Sequence, residues 1–245
     1  MITNLAQVLR NAGLTVVEID GWRTRRRPGA FNPVGVMWHH TGSSANGRAY
    51  AAGILVTGRS DLPGPLCQLS IDRQGVVYVI AAGRANHAGS ARANGSVASG
   101  DGNTLYIGIE FQISGTEPWT QVQRQAGIRV TVAILRNVTR TSERTVAGHF
   151  ETSTTGKWDP GDPNGVQFRD KRVLDMSRVR ADVAATLKGS GANVAQKPTR
   201  ISNARRDLQA ALNKLNAAIA NGRNARRITI SRDAIRDTLN RLPQR

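Results

Sequence analysis

The segment Leu105-Tyr-Ile-Gly-Ile-Glu-Phe111 is apolar at nearly every position and carries one charged side chain, Glu110. A strand with one face in water alternates apolar and polar residues, so this run predicts a central strand that is covered on both faces. Other segments show the patterns of further elements: a strand over Val34 to Trp38, a hairpin over Leu66 to Ile80, and helices over Asn46 to Val56, Thr120 to Asn137 and Ser177 to Lys188. The sequence therefore predicts an α/β fold with a mixed central β-sheet flanked by helices.

Metal-binding residue types follow one of these strands and recur later in the chain. The run His39-His40-Thr41 closes the strand that starts at Val34, and His149 is followed by Lys157 and Asp159. Two imidazoles and one carboxylate are ligands that a catalytic zinc ion uses when its fourth position stays open for water. We therefore predict that His39, His149 and Asp159 bind zinc, which is typical of a zinc hydrolase.

The chain contains four histidines, and each lies in a short motif rich in Gly, Thr or Asn. Each of them taken alone could equally be a partly buried hydrogen-bonding residue. His87 could also ligate the metal in place of one member of the predicted set. The ligand assignment therefore depends on the set taken together with Lys157.

Four motifs, taken in order, resemble those of a known family. They are Val36-Met-Trp-His-His-Thr-Gly42, Asn86-His-Ala-Gly89, Ile107-Gly-Ile-Glu110 and the segment from Gly148-His149 to Lys157-Trp-Asp-Pro-Gly161. Over roughly residues 30 to 180 the chain resembles N-acetylmuramoyl-L-alanine amidases of the type-2 amidase and peptidoglycan-recognition superfamily. The stretches Leu62 to Cys67 and Gly83 to Gly89 are most similar to those of endolysins from phages that infect actinobacteria.

The resemblance implies hydrolysis of the amide between N-acetylmuramic acid and the L-alanine of the peptidoglycan stem peptide, with Zn²⁺ as cofactor. It implies that Lys157 stabilises the oxyanion, although an ordinary surface lysine is the alternative. It also implies that Glu110 positions and deprotonates the attacking water. Other members of the family use a tyrosine, for which Tyr50 or Tyr78 is available, and Glu110 would then only support a metal ligand.

Several residues near these motifs are candidates for contact with the substrate. They are His40, Thr41, Asn86 and His87. Because neighbouring side chains on a strand point to opposite faces, His40 should point away from the metal if His39 points towards it, and packing or hydrogen bonding to a ligand is then its expected role. Asn103 matches a polar position of the family, and a turn residue is an equally good interpretation.

The composition is strongly basic, with 34 Lys plus Arg against 17 Asp plus Glu and a net charge of +17. Such a surface attracts polyanions, but no helix-turn-helix, zinc-finger or aromatic RNA-binding signature is visible, so no nucleic acid is expected. No segment approaches the roughly 18 apolar residues of a transmembrane helix. Met1 to Gln7 shows no signal-peptide pattern, so we expect the protein to lie in a host cytoplasm and to reach the wall by a separate export or pore route.

The character of the chain changes after Lys188. We predict a zinc amidase catalytic domain over residues 1–188, a linker over 189–200 and a basic helical hairpin over 201–245. Residues 189–245 hold 12 basic and 3 acidic side chains, a net charge of +9. This hairpin could bind anionic wall polymers, pack on the catalytic domain or form a homo-oligomer.

Three classes of function compete at this point. A phage endolysin that cleaves peptidoglycan for host lysis accounts for the metal set and Lys157. A non-catalytic peptidoglycan-binding module would be expected to have lost a ligand, and a nucleic-acid-binding protein accounts for the charge but not for the metal set. A cytoplasmic wall-recycling amidase is the alternative within the same superfamily.

Overall fold

A computed structural model describes residues 1–189. The helices are α1 Leu5–Asn11, α2 Arg48–Ala52, α3 Ile54–Thr57, α4 Gly102–Leu105, α5 Gln121–Ile134, α6 His149–Thr152 and α7 Met176–Lys188. The strands are β1 Val16–Glu18, β2 Gly35–His40, β3 Gly58–Arg59, β4 Leu62–Pro63, β5 Leu69–Ile71, β6 Val77–Val79, β7 Ser90–Ala91, β8 Gly100–Asp101, β9 Tyr106–Phe111, β10 Val146–Gly148, β11 Gly161–Phe168 and β12 Lys171–Val173. The predicted basic hairpin, and the linker apart from its first residue, lie outside the described residues.

A six-stranded sheet with the order β1-β6-β5-β9-β2-β10 forms the centre of the described fold. Strands β5, β9, β2 and β10 pair in parallel, and β5 pairs with β6 in the antiparallel hairpin that the sequence predicts. Strand β9 lies between β5 and β2, as predicted for a central strand. The prediction of an α/β fold with a mixed central β-sheet is confirmed.

One face of the sheet is covered by α1, α5 and α7, which contribute Leu9, Val130 and Val183 to the largest apolar cluster. Trp38 of β2 and Phe111 of β9 point into this cluster with their ring centroids 4.6 Å apart. The indole Nε1 of Trp38 donates to the hydroxyl of Thr131 on α5 at 3.0 Å, so that a buried polar group is satisfied.

The opposite face has two smaller apolar clusters with a gap in the cover between them. Leu55 of α3 packs there with Cys67 and Tyr78, while Met37 and Tyr106 pack with the small residues of the loop that precedes α4. The side chain of Cys67 is buried. Polar side chains on this opposite face, near the ends of the strands, therefore lie beside the gap between the two clusters.

The register of the parallel strands brings polar residues to one edge of the sheet. His39 of β2 lies opposite Glu110 of β9, and Gly148, the last residue of β10, lies opposite Trp38. The carboxyl ends of neighbouring parallel strands open into the crevice in which open α/β sheets bind ligands. His39, Glu110 and His149 consequently meet at this edge.

Some elements differ from the sequence prediction. The helix expected over Asn46 to Val56 is interrupted at Gly53, whose φ of −86° and ψ of −106° are not helical. The two-stranded pairs β3–β4, β7–β8 and β11–β12 are short or polar and lack the apolar alternation that marks a strand. Among residues 1–189, no helix is both long and apolar enough to cross a membrane.

Helix α5 approaches the sheet closely at Gly127. A Cβ atom there would lie 2.6 Å from Cζ of Phe111 and 2.8 Å from Cη2 of Trp38. Gly127→Ala should therefore lower the free energy of unfolding by about 1–2 kcal/mol, because overpacking outweighs the roughly 1 kcal/mol gain in helix propensity. Urea denaturation monitored by tryptophan fluorescence checks this.

The matched control is Gln121→Ala, an exposed position in the first turn of the same helix. We expect this change to stay within about 0.5 kcal/mol of the wild type. A stabilised Gly127→Ala protein would contradict the close packing of α5 on the sheet.

Candidate metal centre and active-site cleft

Three donor atoms converge at the edge of the sheet. Nδ1 of His39 lies 2.9 Å from Oδ2 of Asp159 and 3.1 Å from Nδ1 of His149, and the last two atoms are 3.1 Å apart. All three residues are buried. Among the described residues, His39, His149 and Asp159 form a cluster whose donor atoms lie close enough to share a metal ion.

His149 is fixed by contacts made just after β10. Glu151 on α6 accepts a hydrogen bond from the backbone N–H of Gly148 at 2.9 Å, and Arg180 of α7 holds Glu151 through two bonds of 2.9 Å. Arg180 also donates to the carbonyl of Val146 at 3.1 Å. The end of β10 and the start of α6 are thereby tied to α7.

Asp159 is placed beside His149 by its own backbone, because its carbonyl accepts from the N–H of Phe150 at 2.8 Å. His40 supports the same segment from the other side. Its Nδ1 accepts from the N–H of Gly161 at 2.8 Å, and its ring packs edge-on against Trp158 with centroids 4.6 Å apart. His40 therefore does not join the three donors, as the alternation of the strand predicts.

The electrostatics favour a neutral imidazole at His39 and an ionised carboxylate at Asp159. Burial lowers the pKa of His39 to about 4, against the opposing hydrogen bond with Asp159. Burial disfavours ionisation of Asp159, but its close contacts with the imidazoles of His149 and His39 outweigh burial and hold the pKa of this carboxyl far below its usual value. Neutral imidazole and carboxylate are the protonation states that a metal ligand needs.

These residues fit a divalent metal ion. Two nitrogens and one oxygen face a common centre, and the second nitrogen of each imidazole is already engaged elsewhere: Nε2 of His149 donates to the carbonyl of Ala88 at 3.2 Å, and Nε2 of His39 lies 3.1 Å from Nδ1 of His87. Such partners for the far nitrogen are usual for metal-binding histidines. The set therefore has the chemistry of a zinc site with an open fourth position.

His87, the alternative ligand, lies behind His39. Its Nδ1 faces Nε2 of His39, whereas the three donors gather around the opposite nitrogen, Nδ1. The ring packs over Gly108 of β9, where a Cβ atom would be 2.7 Å from Cγ of His87. The geometry thus brings together His39, His149 and Asp159 and leaves His87 outside the set.

A cleft of about 270 Å³ opens over the three donors. Glu110 and Lys157 both line it, so the two residues predicted to act in catalysis share one space with the donors. Thr41 and Asn86 line it as well, together with His40 and His87. The side chain of Asn86 also donates to the carbonyl of Pro63 at 2.7 Å, which ties its loop to β4.

Glu110 brings an unsatisfied polar atom to the cleft. Its Oε2 is buried and has no hydrogen-bond partner among the described residues. Burial raises the pKa of Glu110 well above its usual value, with a further increase from Asp159 and a partial offset from Lys157 and Arg59. A carboxyl group with a raised pKa beside a metal site is suited to accept and return a proton.

The two tyrosine alternatives differ in position. Tyr50 lies on α2 and lines the cleft, where burial raises its pKa. Tyr78 lies on the strand β6, and its hydroxyl donates to Asp72 at 2.8 Å. Tyr78 is not among the residues that line the cleft, so of the two only Tyr50 is placed to act there.

Three further residues contribute to the site, and the sequence motifs assign none of them a definite role. Arg59 and Trp158 line the cleft, and Arg59 forms a two-bond ion pair with Asp61 at 3.0 and 2.9 Å. Asn103, which could have been a simple turn residue, is buried and accepts hydrogen bonds from the backbone of His87 and Ala88. None of these residues carries a spacing signal that separates it from an ordinary surface or turn residue.

Comparison with known proteins gives a family match over residues 29–162, more than half of the chain, to the family described as N-acetylmuramoyl-L-alanine amidase. The chain belongs to this family. The match includes the predicted donors His39, His149 and Asp159 together with Glu110 and Lys157. The chain is therefore a peptidoglycan amidase, as its motifs predict.

Solved structures similar to the amidase include relatives of several kinds. The endolysin N-acetylmuramoyl-L-alanine amidase LysCS from Clostridium intestinale is 16% identical with a TM-score of 0.49, over 69% of this chain and 94% of that one. AmpD is 22% identical with a TM-score of 0.49 (69% and 93%), and the Drosophila peptidoglycan recognition protein SA is 14% identical with a TM-score of 0.46 (60% and 86%). A search of curated proteins gives no match. The assignment to the family rests on the sequence match.

Proposed function

We propose that this amidase is a zinc-dependent hydrolase of the bacterial cell wall in which His39, His149 and Asp159 hold the metal. The observation that carries this proposal is the convergence of two imidazole nitrogens and one carboxylate oxygen, 2.9–3.1 Å apart, in a buried site beneath an open cleft. Zinc in such a site polarises a carbonyl group and lowers the pKa of water towards about 7.

Glu110 would handle the protons of the reaction. Hydrolysis of an amide requires that water lose a proton and that the departing amine gain one. The buried, unpartnered Oε2 of Glu110 and its raised pKa suit both steps, since one carboxyl can accept the first proton and return it.

Lys157 would stabilise the negative charge that develops on the carbonyl oxygen of the substrate. Its backbone is ordered by Ser153, whose hydroxyl accepts from the N–H groups of Thr155 and Lys157 at 3.2 Å. Lys157 lines the same cleft as Glu110, where its positive charge would stabilise an oxyanion.

The proposed metal dependence predicts that a chelator abolishes cleavage of a muramyl peptide and that added zinc restores it. His149→Ala should lose zinc together with activity, because a three-ligand set loses one donor. Metal content measured after dialysis, alongside release of the free stem peptide, checks this. Full zinc occupancy in His149→Ala, with a metal-free His87→Ala protein, would instead make His87 the ligand.

The roles of Lys157 and Glu110 predict a loss of rate without a loss of metal. Lys157→Ala should lower kcat by about 10²- to 10³-fold, the effect of removing one oxyanion-stabilising group. Glu110→Gln should lower kcat by roughly 10²- to 10⁴-fold through the loss of proton transfer. Both variants should keep the zinc content and fold of the wild type, as measured by metal analysis and circular dichroism.

Two control variants separate these roles from nonspecific effects. Lys171→Ala removes an exposed lysine of β12 that pairs with Asp170 outside the cleft, and should leave kcat unchanged. Tyr50→Phe tests the tyrosine alternative and should retain most of the activity if Glu110 transfers the proton. A near-normal kcat in Lys157→Ala or Glu110→Gln would refute the corresponding role.

We also propose that the enzyme acts on intact walls as a phage endolysin. The motifs at Leu62 to Cys67 and Gly83 to Gly89 support this over a recycling enzyme, and so does the net charge of +9 within residues 189–245, which suits anionic wall polymers. A recycling amidase would instead prefer soluble muropeptides.

Purified walls and a soluble muramyl peptide, each treated with the full chain and with residues 1–188, test this proposal. Truncation should leave cleavage of the soluble substrate nearly unchanged and weaken attachment to walls. The difference should shrink above about 0.15 M salt, where the Debye length is about 8 Å. Activity of the full chain on the soluble peptide but not on walls would favour the recycling alternative, and aggregation of the truncated chain would show that the tail belongs to the folded core.

A further inference from the structure

The two imidazoles of the proposed zinc site contact one short loop, residues 86–89, which we call the support loop. Nε2 of His149 donates to the carbonyl of Ala88 at 3.2 Å, and Nε2 of His39 lies 3.1 Å from Nδ1 of His87. The far nitrogens of both imidazoles therefore meet neighbouring residues of a single segment.

These contacts bear on where the imidazole protons sit. A carbonyl oxygen only accepts hydrogen bonds, so neutral His149 carries its proton on Nε2 and leaves the lone pair of Nδ1 directed at the donor set. When His39 uses Nδ1 as a ligand, its proton must also lie on Nε2, and Nδ1 of His87 is then the acceptor at hand.

One buried side chain holds the support loop in place. Oδ1 of Asn103 accepts from the N–H groups of His87 and Ala88, both at 2.8 Å, and from that of Gly89 at 3.4 Å. The N–H of Gly89 and the carbonyl of Ala88 belong to the same peptide group. Holding this N–H therefore also orients the carbonyl that receives His149.

Asn103 is itself well anchored. It is 7% exposed, its N–H donates to Oδ1 of Asp101 at 3.0 Å, and the neighbouring N–H of Gly102 donates to the carbonyl of Gly89 at 2.7 Å. Because three N–H groups point at one atom of the carboxamide, that atom must be its oxygen. Asn103 and the support loop thus form one hydrogen-bonded unit.

We infer that Asn103 is a positioning residue for the metal site, which sets the proton position and orientation of both imidazole ligands through the support loop. This inference rests on the proposed zinc site. Asn103 does not touch the three donor atoms, so its removal should act through metal affinity. Loss of a direct hydrogen-bond partner of a ligand typically weakens metal binding by about 10- to 100-fold, and removal of Asn103 releases the loop that supplies two such partners.

The test compares Asn103→Ala with Asn103→Asp in the full chain. Asn103→Ala removes the acceptor, whereas Asn103→Asp keeps an oxygen of nearly the same shape in the same place. The matched control is Asn137→Ala. Asn137 lies beyond the end of α5, and its side chain donates a hydrogen bond to the carbonyl of Ala133 that this change removes. The zinc dissociation constant is measured by competition with a chromophoric chelator, and circular dichroism confirms folding.

A second measurement does not depend on metal. In protein labelled with ¹⁵N-histidine and freed of metal, the imidazole nitrogen shifts report which nitrogen of each of the four histidines carries the proton. Wild-type His149 should be protonated on Nε2, and Asn103→Ala should show a mixture of both forms. This result would not follow from a general loss of stability.

We expect Asn103→Ala to raise the zinc dissociation constant by about 10- to 100-fold, while Asn103→Asp and Asn137→Ala stay within about threefold of the wild type. If Asn103→Ala does not fold, His87→Phe takes its place: it should weaken zinc binding through His39 and leave the proton of His149 on Nε2.

The inference is overturned if folded Asn103→Ala binds zinc with wild-type affinity, or if His87→Phe does so where that variant is needed. Equal losses of zinc affinity in Asn103→Ala and Asn103→Asp would also overturn it. A wild-type protein that binds no zinc would refute the proposed metal site instead, and the histidine spectra would still show whether the support loop fixes the proton of His149.

Discussion

Parallel pairing of β9, β2 and β10 is the constraint on which the site depends. Each strand ends at the same edge of the sheet, so Glu110, His39 and His149 arrive together although they are distant in the sequence. A slip of one residue would turn His39 to the opposite face of the sheet. The aromatic contact between Trp38 and Phe111, buried under α5, opposes such a slip, and the apolar face of the sheet thus fixes the polar one.

The two carboxyl groups of the cleft have opposite protonation tendencies because their surroundings differ. Oδ2 of Asp159 lies within 3.1 Å of two imidazole nitrogens and the carboxylate stays ionised, whereas Oε2 of Glu110 is buried and meets no donor among the described residues. The negative charge of Asp159 makes ionisation of Glu110 still less favourable. Asp159, the proposed ligand, and Glu110, the proposed proton carrier, can therefore lie close together and still differ in protonation.

Much of this arrangement could be predicted from the sequence, because its signals are local. The continuous apolar run of β9 identifies an inner strand, and the residue types at His39, His149 and Asp159 indicate a metal set. The break at Gly53 and the role of Asn103 could not be predicted in this way. A carboxamide that binds the backbone of a loop about fifteen residues away has the same sequence signature as a turn residue, and only the folded chain brings the two together.

The hydrogen bonds of Arg180 to Glu151 and to the carbonyl of Val146 link the proposed metal site to the last described helix. On a ribosome, α7 is the final part of this domain to emerge, after both imidazoles and Asp159 have already been synthesised. Until it docks, the turn that presents His149 lacks its anchor and the part of the apolar face that α7 covers remains exposed. A nascent or prematurely terminated chain therefore carries the proposed catalytic side chains without the framework that aligns them. The cell that makes the enzyme meets an assembled hydrolase only once translation has passed α7.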